Sequence, residues 1–173
     1  MKTLWAPWRM EYIRSAGKPE GKKGCLFCRL RRSKKDEDNL VLLRDEAGMV
    51  VMNRYPYNNG HLMAAPNRHI ADFGKLSDIE VTGLFRLVQR SLDVLRAELS
   101  PEGYNIGMNL GRAAGAGVAG HLHVHVVPRW TGDSNFMPVV AETKVIGEHL
   151  HETYCRLKRR FGGSGKAKSR CRK

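Results

Sequence analysis

An α+β domain built around an antiparallel sheet is the fold class that the sequence predicts. The first observation is a series of three short apolar segments, at residues 39–44, 49–56 and 61–66, separated by turn residues. The second is the long helical pattern that follows them, and the third is a further pair of strand-like segments before a second helical stretch. Five strands, one main helix and a C-terminal helix therefore make up the expected domain.

Turn and cap residues mark the borders of these elements. The sequence "DEAG" separates the first two strands, and "YNNG", with the hairpin dipeptide Asn59-Gly60, separates the second from the third. Ser77 followed by Glu80 predicts a capping box at the start of the main helix. One face of that helix is expected to be apolar, through Ile79, Leu84, Leu87, Val88, Leu92, Leu95 and Leu99.

The second half of the chain carries the two remaining strands and the last helix. "YNIGMNLG" alternates as a fourth strand does, "RAAGAGVAG" is a glycine-rich loop, and "HLHVHVVPRW" is the fifth strand, which Pro128 is expected to end. A helix is predicted from Lys144 to Phe161, with basic residues in its last turns, where they suit the helix dipole.

Length and charge indicate one domain with extensions. We divide the 173 residues into an aromatic and basic N-terminal extension (1–24), a central domain (25–134), a C-terminal segment with its helix (135–161) and a disordered basic tail (162–173). Residues 1–35 hold eleven Lys or Arg against two acids, and residues 162–173 hold five against none, so most of the +13 net charge lies at the two ends. Specific nucleic-acid binding would more usually place that charge on a folded face.

The sequence also carries expectations about compartment. It contains no apolar run long enough to cross a membrane and no apolar segment near its start of the kind that a signal peptide needs. We therefore expect a cytoplasmic protein. Four cysteines do not suggest a disulfide framework, and the CxxC of Cys25 and Cys28 indicates metal or redox chemistry in a reducing compartment.

Three histidines at alternate positions are the most informative feature. His121, His123 and His125 share one face of a strand, while Leu122 and Val124 point to the other face and into the core. Such a group suits a metal cluster or a nucleophile with supporting groups. The glycine-rich loop before it can turn backbone N–H groups toward a phosphate, which favours attack on phosphorus. Core histidines with internal partners are the alternative interpretation.

The run "HLHVHVV" resembles the signature of the histidine triad (HIT) superfamily, His-φ-His-φ-His-φ-φ with φ apolar. The similarity extends from about Asn39 to Trp130, through "NRYPYNNGHLMAAP" and "GMNLGRAAGAG", so the central domain is expected to be a HIT domain. "LWAPWRMEY" and "HLHVHVVPRWTGDSNFMPV" resemble the diadenosine tetraphosphate phosphorylase branch. The resemblance also implies a homodimer in which two five-stranded sheets join.

The resemblance implies a role for each triad residue and for the loop. His123 would attack the α-phosphorus of a nucleotide and form a nucleotidyl-histidine intermediate, which splits one difficult step into two. His125 would lie near the phosphate and leaving-group oxygens. N–H groups around Gly117 and Val118 would stabilise the charge that develops at phosphorus. Many family members carry a hydroxyl or amide side chain in this loop, whereas residues 115–120 here read "GAGVAG".

Further substrate-binding residues follow from the same resemblance. Asn53 matches the position that holds the ribose hydroxyls, although an asparagine before "RYPYNNG" also suits a turn. Asn109 matches an asparagine near the phosphates. His61 matches a histidine beside the active site, where a structural role and a catalytic role are both open.

A structural zinc site is the expectation for the CxxC. Cys25 and Cys28 need two further ligands for tetrahedral zinc, and no second CxxC exists in the sequence. In zinc-containing relatives the ligands correspond to Cys25, Cys28, His69 and His121. A bare dithiol and a redox CxxC are the alternatives, although the redox motif expects a βαβ context that is missing here.

The sequence therefore leads to a nucleotidyltransferase or hydrolase of the histidine triad family that acts on an adenine nucleotide, with diadenosine tetraphosphate phosphorylase as the specific expectation. Hydrolysis of a dinucleoside polyphosphate or of an adenosine phosphoramidate is the close alternative. The alternative from another class is a non-catalytic nucleotide- or nucleic-acid-binding protein whose basic ends carry the function.

Overall fold

The computed structural model describes residues 24–133 and 148–162. The elements are α1 (Leu26–Arg32), β1 (Val41–Arg44), β2 (Gly48–Met52), β3 (Leu62–Pro66), a 3-10 turn (Phe73–Lys75), α2 (Asp78–Leu99), β4 (Gly103–Gly107), β5 (Val124–Arg129) and α3 (Leu150–Phe161). Apart from residues 24 and 162, the predicted N-terminal extension and the basic tail lie outside the described residues. The described helices include none that is long and apolar enough to span a membrane.

The five strands form one antiparallel sheet in the order β1-β2-β3-β5-β4, which confirms the predicted sheet. β5 therefore lies between β3 and β4, and β4 is an edge strand. Tyr104 of β4 pairs with Pro128 and bonds to the Leu92 carbonyl of α2, so this pair faces α2. Because side chains alternate along a strand, His125, Val127 and Arg129 face the other side of the sheet.

Helix α2 begins as predicted and covers one face of the sheet. The Ser77 side chain accepts the N–H of Glu80, and the Glu80 carboxylate accepts the N–H of Ser77, which completes the capping box. The buried face comprises Leu84, Leu87, Val88, Ser91, Val94 and Leu95. Ile79 was predicted on this face, and that prediction is wrong: its side chain is 85% exposed, because the helical repeat places it about 120° around the helix from the centre of the buried face.

Helix α3 packs against helix α2 and strand β1. It begins at Leu150, and the predicted start at Lys144 lies outside the described residues. Its Tyr154 hydroxyl donates to the Val41 carbonyl of β1 at 3.3 Å, and Arg90 of α2 donates to the Phe161 carbonyl at 2.6 Å. These bonds join α3 to the sheet and to helix α2.

Several local features differ from the sequence prediction. The second strand ends at Met52 rather than at residue 56, and the fourth ends at Gly107 rather than at residue 111. The segment after Cys25 is a short helix, α1, with Phe27 and Leu30 buried, where the sequence predicted no helix or strand. The triad strand was predicted over residues 121–130 with Pro128 at its end, yet β5 begins at Val124 and includes Pro128. Pro128 is tolerated because the β3 pairing of β5 ends at Val126, so the strand is open on that side.

Candidate active site and metal cluster

A cavity of about 280 Å³ lies on the sheet face that α2 leaves open. The predicted substrate and catalytic residues that line it are Asn53, Asn109, Gly117, Val118, His123 and His125. The structure thus brings together six positions that come from four separate segments of the chain. His61 is the exception, because its side chain is fully buried and is not among the residues that line this cavity.

His123 is oriented by its own backbone neighbourhood. Its Nδ1 lies 2.9 Å from the carbonyl oxygen of His121, and because a carbonyl can only accept, Nδ1 carries the proton. The neutral ring therefore keeps a lone pair on Nε2. Burial lowers the pKa of His123, although the hydrogen bond to the carbonyl partly opposes this shift. A buried, neutral imidazole with a lone pair on Nε2 is the state that a nucleophile requires.

His125 is oriented by a chain of hydrogen bonds through His61. The backbone N–H of Tyr57 donates to His61 Nδ1 at 3.0 Å, so the proton of a neutral His61 is on Nε2. That Nε2 lies 2.9 Å from His125 Nδ1 and donates to it. His125 then carries its own proton on Nε2, as a donor. The two cavity histidines thus hold opposite tautomers, with a lone pair on Nε2 of His123 and a proton on Nε2 of His125.

Asn53 serves the turn and lines the cavity as well. Its Oδ1 accepts the N–H of Tyr55 at 3.0 Å, which is the turn geometry expected of an asparagine at this place. Its Nδ2 lies 3.4 Å from His61 Nδ1, beside the Tyr57 bond. Both interpretations of this residue are therefore compatible with its position.

The glycine-rich loop folds as successive turns beside the triad. Gly111 and Gly115 have φ of +80° and +83°, conformations that glycine adopts without strain. The N–H of Gly115 donates to the Arg112 carbonyl, and the N–H of Ala116 donates to the Gly111 carbonyl. These turns do not use the N–H groups of Gly117 and Val118, the two positions predicted to bind phosphate.

The two cysteines and two histidines predicted as metal ligands form one cluster. The ligand atoms of Cys25, Cys28, His69 and His121 all lie within 4.8 Å of one another. His121 Nδ1 is 3.3 Å from Cys25 Sγ and 3.7 Å from Cys28 Sγ, and His69 Nδ1 is 3.4 Å from Cys28 Sγ. Tetrahedral zinc with ordinary bond lengths separates a sulfur ligand from a nitrogen ligand by about 3.6 Å. These donors therefore fit a zinc ion in type, number and spacing.

The environment of the cluster also suits a cation. His121 Nε2 lies 2.9 Å from the Pro66 carbonyl and donates to it, so the lone pair of Nδ1 faces the sulfur atoms. A carbonyl that fixes the second nitrogen is the usual support of a metal-bound histidine. Burial raises the pKa of the Cys25 thiol, so a thiolate there requires a nearby positive charge.

Helix α1 joins the cluster to the cavity, and the sequence reading did not predict this. Cys25 and Cys28 lie at its start, while Leu26, Phe27, Arg29 and Leu30 line the cavity. The Phe27 ring centroid is 5.2 Å from that of His121 and 5.0 Å from that of His123. The apolar spacing Leu26, Phe27 and Leu30 within "CLFCRL" was the available signal for a helix with one buried face.

Comparisons with known proteins agree with this geometry. The family model of the HIT domain matches residues 34–132. A protein named AP-4-A phosphorylase from Mycobacterium tuberculosis is 38% identical over 158 residues, which cover 88% of this chain and 80% of that protein. The Bis(5'-nucleosyl)-tetraphosphatase [asymmetrical] of Schizosaccharomyces pombe is 32% identical over 93 residues, 54% of this chain and 50% of that protein. The solved structure of a Zn-bound histidine triad family protein from Mycobacterium smegmatis superposes with a TM-score of 0.65 and 26% identity, over 82% of this chain and 96% of that one.

Proposed function

Because the chain belongs to the histidine triad family, we propose that it cleaves a dinucleoside polyphosphate through a nucleotidyl-histidine intermediate on His123. Diadenosine tetraphosphate phosphorolysis is the specific reaction that the 38% identical relative supports. The observation that carries the mechanism is the pair of opposite tautomers in one cavity. His123 offers a lone pair to phosphorus, and His125 offers an N–H to the oxygens around it.

In this mechanism the chain binds both the nucleoside and the scissile phosphate of the substrate. The nucleoside occupies the apolar wall formed by α1, and Asn53 holds its ribose. The N–H groups of Gly117 and Val118 bind the scissile phosphate and stabilise the charge that develops there. The carbonyl of His121 keeps the proton of His123 on Nδ1 throughout, which holds Nε2 toward phosphorus.

The test of the mechanism is to trap the intermediate. The full chain is mixed with diadenosine tetraphosphate and quenched, and its intact mass is measured. We expect an acid-labile nucleoside monophosphate on His123, and His123→Asn should lose this adduct and at least about 10³-fold in turnover. His151→Asn is the matched control, because His151 lies on α3 outside the cavity. Turnover that persists in His123→Asn would exclude the covalent mechanism, whereas a wild-type chain that binds the nucleotide without any turnover would favour a binding protein.

Hydrolysis is the second candidate reaction, and the tetraphosphatase relative supports it. The products distinguish the two reactions. ADP and ATP that form only when phosphate is present indicate phosphorolysis, whereas AMP and ATP indicate hydrolysis. An adenosine phosphoramidate assayed in parallel covers the remaining hydrolase alternative.

We also propose a structural zinc ion at Cys25, Cys28, His69 and His121. It would link α1 to the segment that precedes β5, and the reduced thiols that it needs support a cytoplasmic location. Elemental analysis should find about one zinc per chain. Cys28→Ser should lower this content, and His151→Asn, on α3, should not. An unchanged zinc content in Cys28→Ser would refute the site.

A homodimer through β4 completes the proposal. β4 is an edge strand whose described neighbour is β5 alone, and Ile106 is 46% exposed there. An open edge with an exposed apolar residue can pair with a second copy of the same strand. Sedimentation of the full chain should give a dimer that Ile106→Lys dissociates. Ile79→Lys is the control, since Ile79 is 85% exposed on α2. A dimer unaffected by Ile106→Lys would place the interface elsewhere.

A further inference from the structure

A second cavity, of about 420 Å³, opens beside the first on the same face of the sheet. Tyr57, Asn109 and His125 line both cavities, so the two meet at these residues. The floor of the second cavity is formed by Gly107 and Asn105 of β4 and by β5 from His125 toward Arg129. His123 lines the first cavity and is not among the residues that line the second.

The position of the second cavity suits the group that leaves on the far side of the scissile P–O bond. A displacement at phosphorus is in line, so the leaving group departs on the side opposite to the attacking His123. The nucleoside fills the first cavity, and the second cavity continues from it past His125. In the second half of the reaction the acceptor must attack opposite to the His123–phosphorus bond, which is the side that the leaving group has just vacated.

We propose, on the basis of the proposed function, that the second cavity is a phosphate subsite. The phosphate arm of the leaving nucleotide occupies it first, and inorganic phosphate then occupies it to take the nucleotidyl group. The partition between phosphorolysis and hydrolysis is decided there, since a bound phosphate excludes water from the attacking position.

The polar groups along the floor are donors held in place. Arg129 donates to both carboxylate oxygens of Asp133, at 2.7 and 2.8 Å, and its Nη1 donates to Asn105 Oδ1 at 2.7 Å. Since Asn105 Oδ1 accepts from Arg129, the amide group of Asn105 has its two N–H donors on the other side. A guanidinium also has five N–H groups, and these three bonds engage three of them. Arg129 lies four residues from His125, about 13 Å along the strand, so the donors follow a path that an extended phosphate arm can take.

The charge of this subsite suits a ligand that must exchange. Asp133 neutralises Arg129, so phosphate is held mainly by hydrogen bonds rather than by excess positive charge. Such a site binds a leaving group that has to depart and an acceptor that has to enter.

The atoms balance in both steps. In the first, the His123 Nε2 lone pair forms the N–P bond, and the P–O bond to the leaving nucleotide breaks with its electrons on that oxygen. The departing phosphate oxygen is stable as an anion and needs no proton. In the second, an oxygen of inorganic phosphate forms a P–O bond, the N–P bond breaks and its electrons return to His123. A nucleoside diphosphate is released.

Two glycines of β4 provide a matched pair of variants. Gly107 pairs with His125 at the cavity, and Gly103 pairs with Arg129 at the far end of the strand, outside the cavity lining. A Cβ at either position meets nothing within 4 Å, and neither glycine has a left-handed φ. Gly107→Val therefore places an apolar side chain in the second cavity with little strain, and Gly103→Val makes the same change elsewhere on the same strand face.

The first experiment measures the KM for inorganic phosphate as the acceptor. The substrate is an adenosine phosphoramidate, whose leaving amine carries no phosphate, and inorganic phosphate is varied. We expect Gly107→Val to raise the KM for phosphate about tenfold or more and Gly103→Val to leave it unchanged. AMP affinity, measured by calorimetry, should be the same in both variants. An unchanged KM for phosphate in Gly107→Val, or a wild-type enzyme that transfers only to water, would overturn the acceptor role.

The second experiment measures the leaving arm. In a single turnover without phosphate, Gly107→Val should lower the rate of adduct formation on His123 from diadenosine tetraphosphate about tenfold relative to the rate from the phosphoramidate, and Asn105→Leu should lower it in the same sense by removing two donors. Equal losses on both substrates would refute the subsite. Failure of the proposed function is distinguishable, because the adduct on His123 would then be missing from the wild type. If that adduct forms and Gly107→Val changes neither the KM for phosphate nor the reaction of diadenosine tetraphosphate, only the proposed subsite is wrong.

Discussion

The position of His61 gives a prediction that can be worked out from the structure. The side chain is fully buried, accepts the Tyr57 N–H at 3.0 Å and donates to His125 Nδ1 at 2.9 Å. His61→Leu removes both bonds, whose partners at Tyr57 and His125 are partly buried. Loss of a partner costs a buried polar group about 1–3 kcal/mol, so the free energy of unfolding should fall by up to about 2–6 kcal/mol.

The assay is thermal unfolding followed by circular dichroism. A chain of this size loses about 2–4 °C of Tm per kcal/mol, which predicts a decrease of about 4–24 °C for His61→Leu. His61→Gln is the control, because its amide can accept from Tyr57 and donate to His125. It should recover most of the loss. A Tm of His61→Leu within about 2 °C of the wild type would refute the reasoning.

A second measurement separates positioning from stability. If His61 fixes the tautomer of His125, nitrogen NMR of the wild type should find the His125 proton on Nε2. His61→Leu should show a mixture of tautomers below its Tm, with turnover reduced about 10–100-fold, and His61→Gln should restore both. A single unchanged tautomer in His61→Leu would show that the residue only fills space.

The remaining predictions concern charge, packing and the tail. The hydrogen bond from Arg68, followed by the backbone bond of Ser77, lowers the pKa of Glu80 to about 2. The resulting stability is present above the usual carboxyl range and is lost as pH falls from about 4.5 to about 2, so Arg68→Met should lower Tm at pH 7 and make no difference at pH 2. Gly48→Ala should prevent folding or lower Tm by more than 10 °C, since its Cβ would lie 2.2 Å from a backbone carbonyl oxygen, with Gly103→Ala as the harmless control. Deletion of residues 163–173 should leave turnover of free nucleotides unchanged, and a loss of catalysis would show that the tail contributes to the reaction. Chelation should increase hydrogen exchange in α1 before it does so in α2, and equal exchange in both would exclude a metal that fastens α1.

The parts of the fold that the sequence predicted are those with local causes. The turn between β1 and β2, the capping box of Ser77 and Glu80, and the alternation of the triad each depend on residues within a few positions of one another. The connection from Met52 to Leu62 is longer than the hairpin predicted at Asn59-Gly60. Helix α1 was missed because it has only seven residues, and its helical state depends on the burial of Phe27 and Leu30 against the rest of the fold. The early end of β5 was predicted from Pro128 alone, without knowledge of where the β3 pairing stops.

The candidate site was predicted by residue identity, whereas its proton positions were not. Residue type and spacing selected His123 and His125, but the tautomer of each ring depends on distances to Tyr57, His61 and the His121 carbonyl. The second cavity could not be predicted, since the described residues that line it come from three segments distant in sequence. The same holds for the position of α1, which carries Cys28 and also lines the first cavity.

The three triad histidines differ because a different partner holds the second nitrogen of each ring. His121 Nε2–H donates a hydrogen bond to the Pro66 carbonyl, so the lone pair of Nδ1 faces the cysteines. His123 Nδ1–H donates to the His121 carbonyl, so Nε2 carries the lone pair. His125 Nδ1 accepts a hydrogen bond from His61 Nε2–H, so the proton of His125 is on Nε2. The residue that would bind the metal is thus also the residue whose carbonyl fixes the nucleophile. A change at Cys25 or Cys28 that lets His121 move would therefore reach His123 through one backbone carbonyl, without any direct contact between the metal and the substrate.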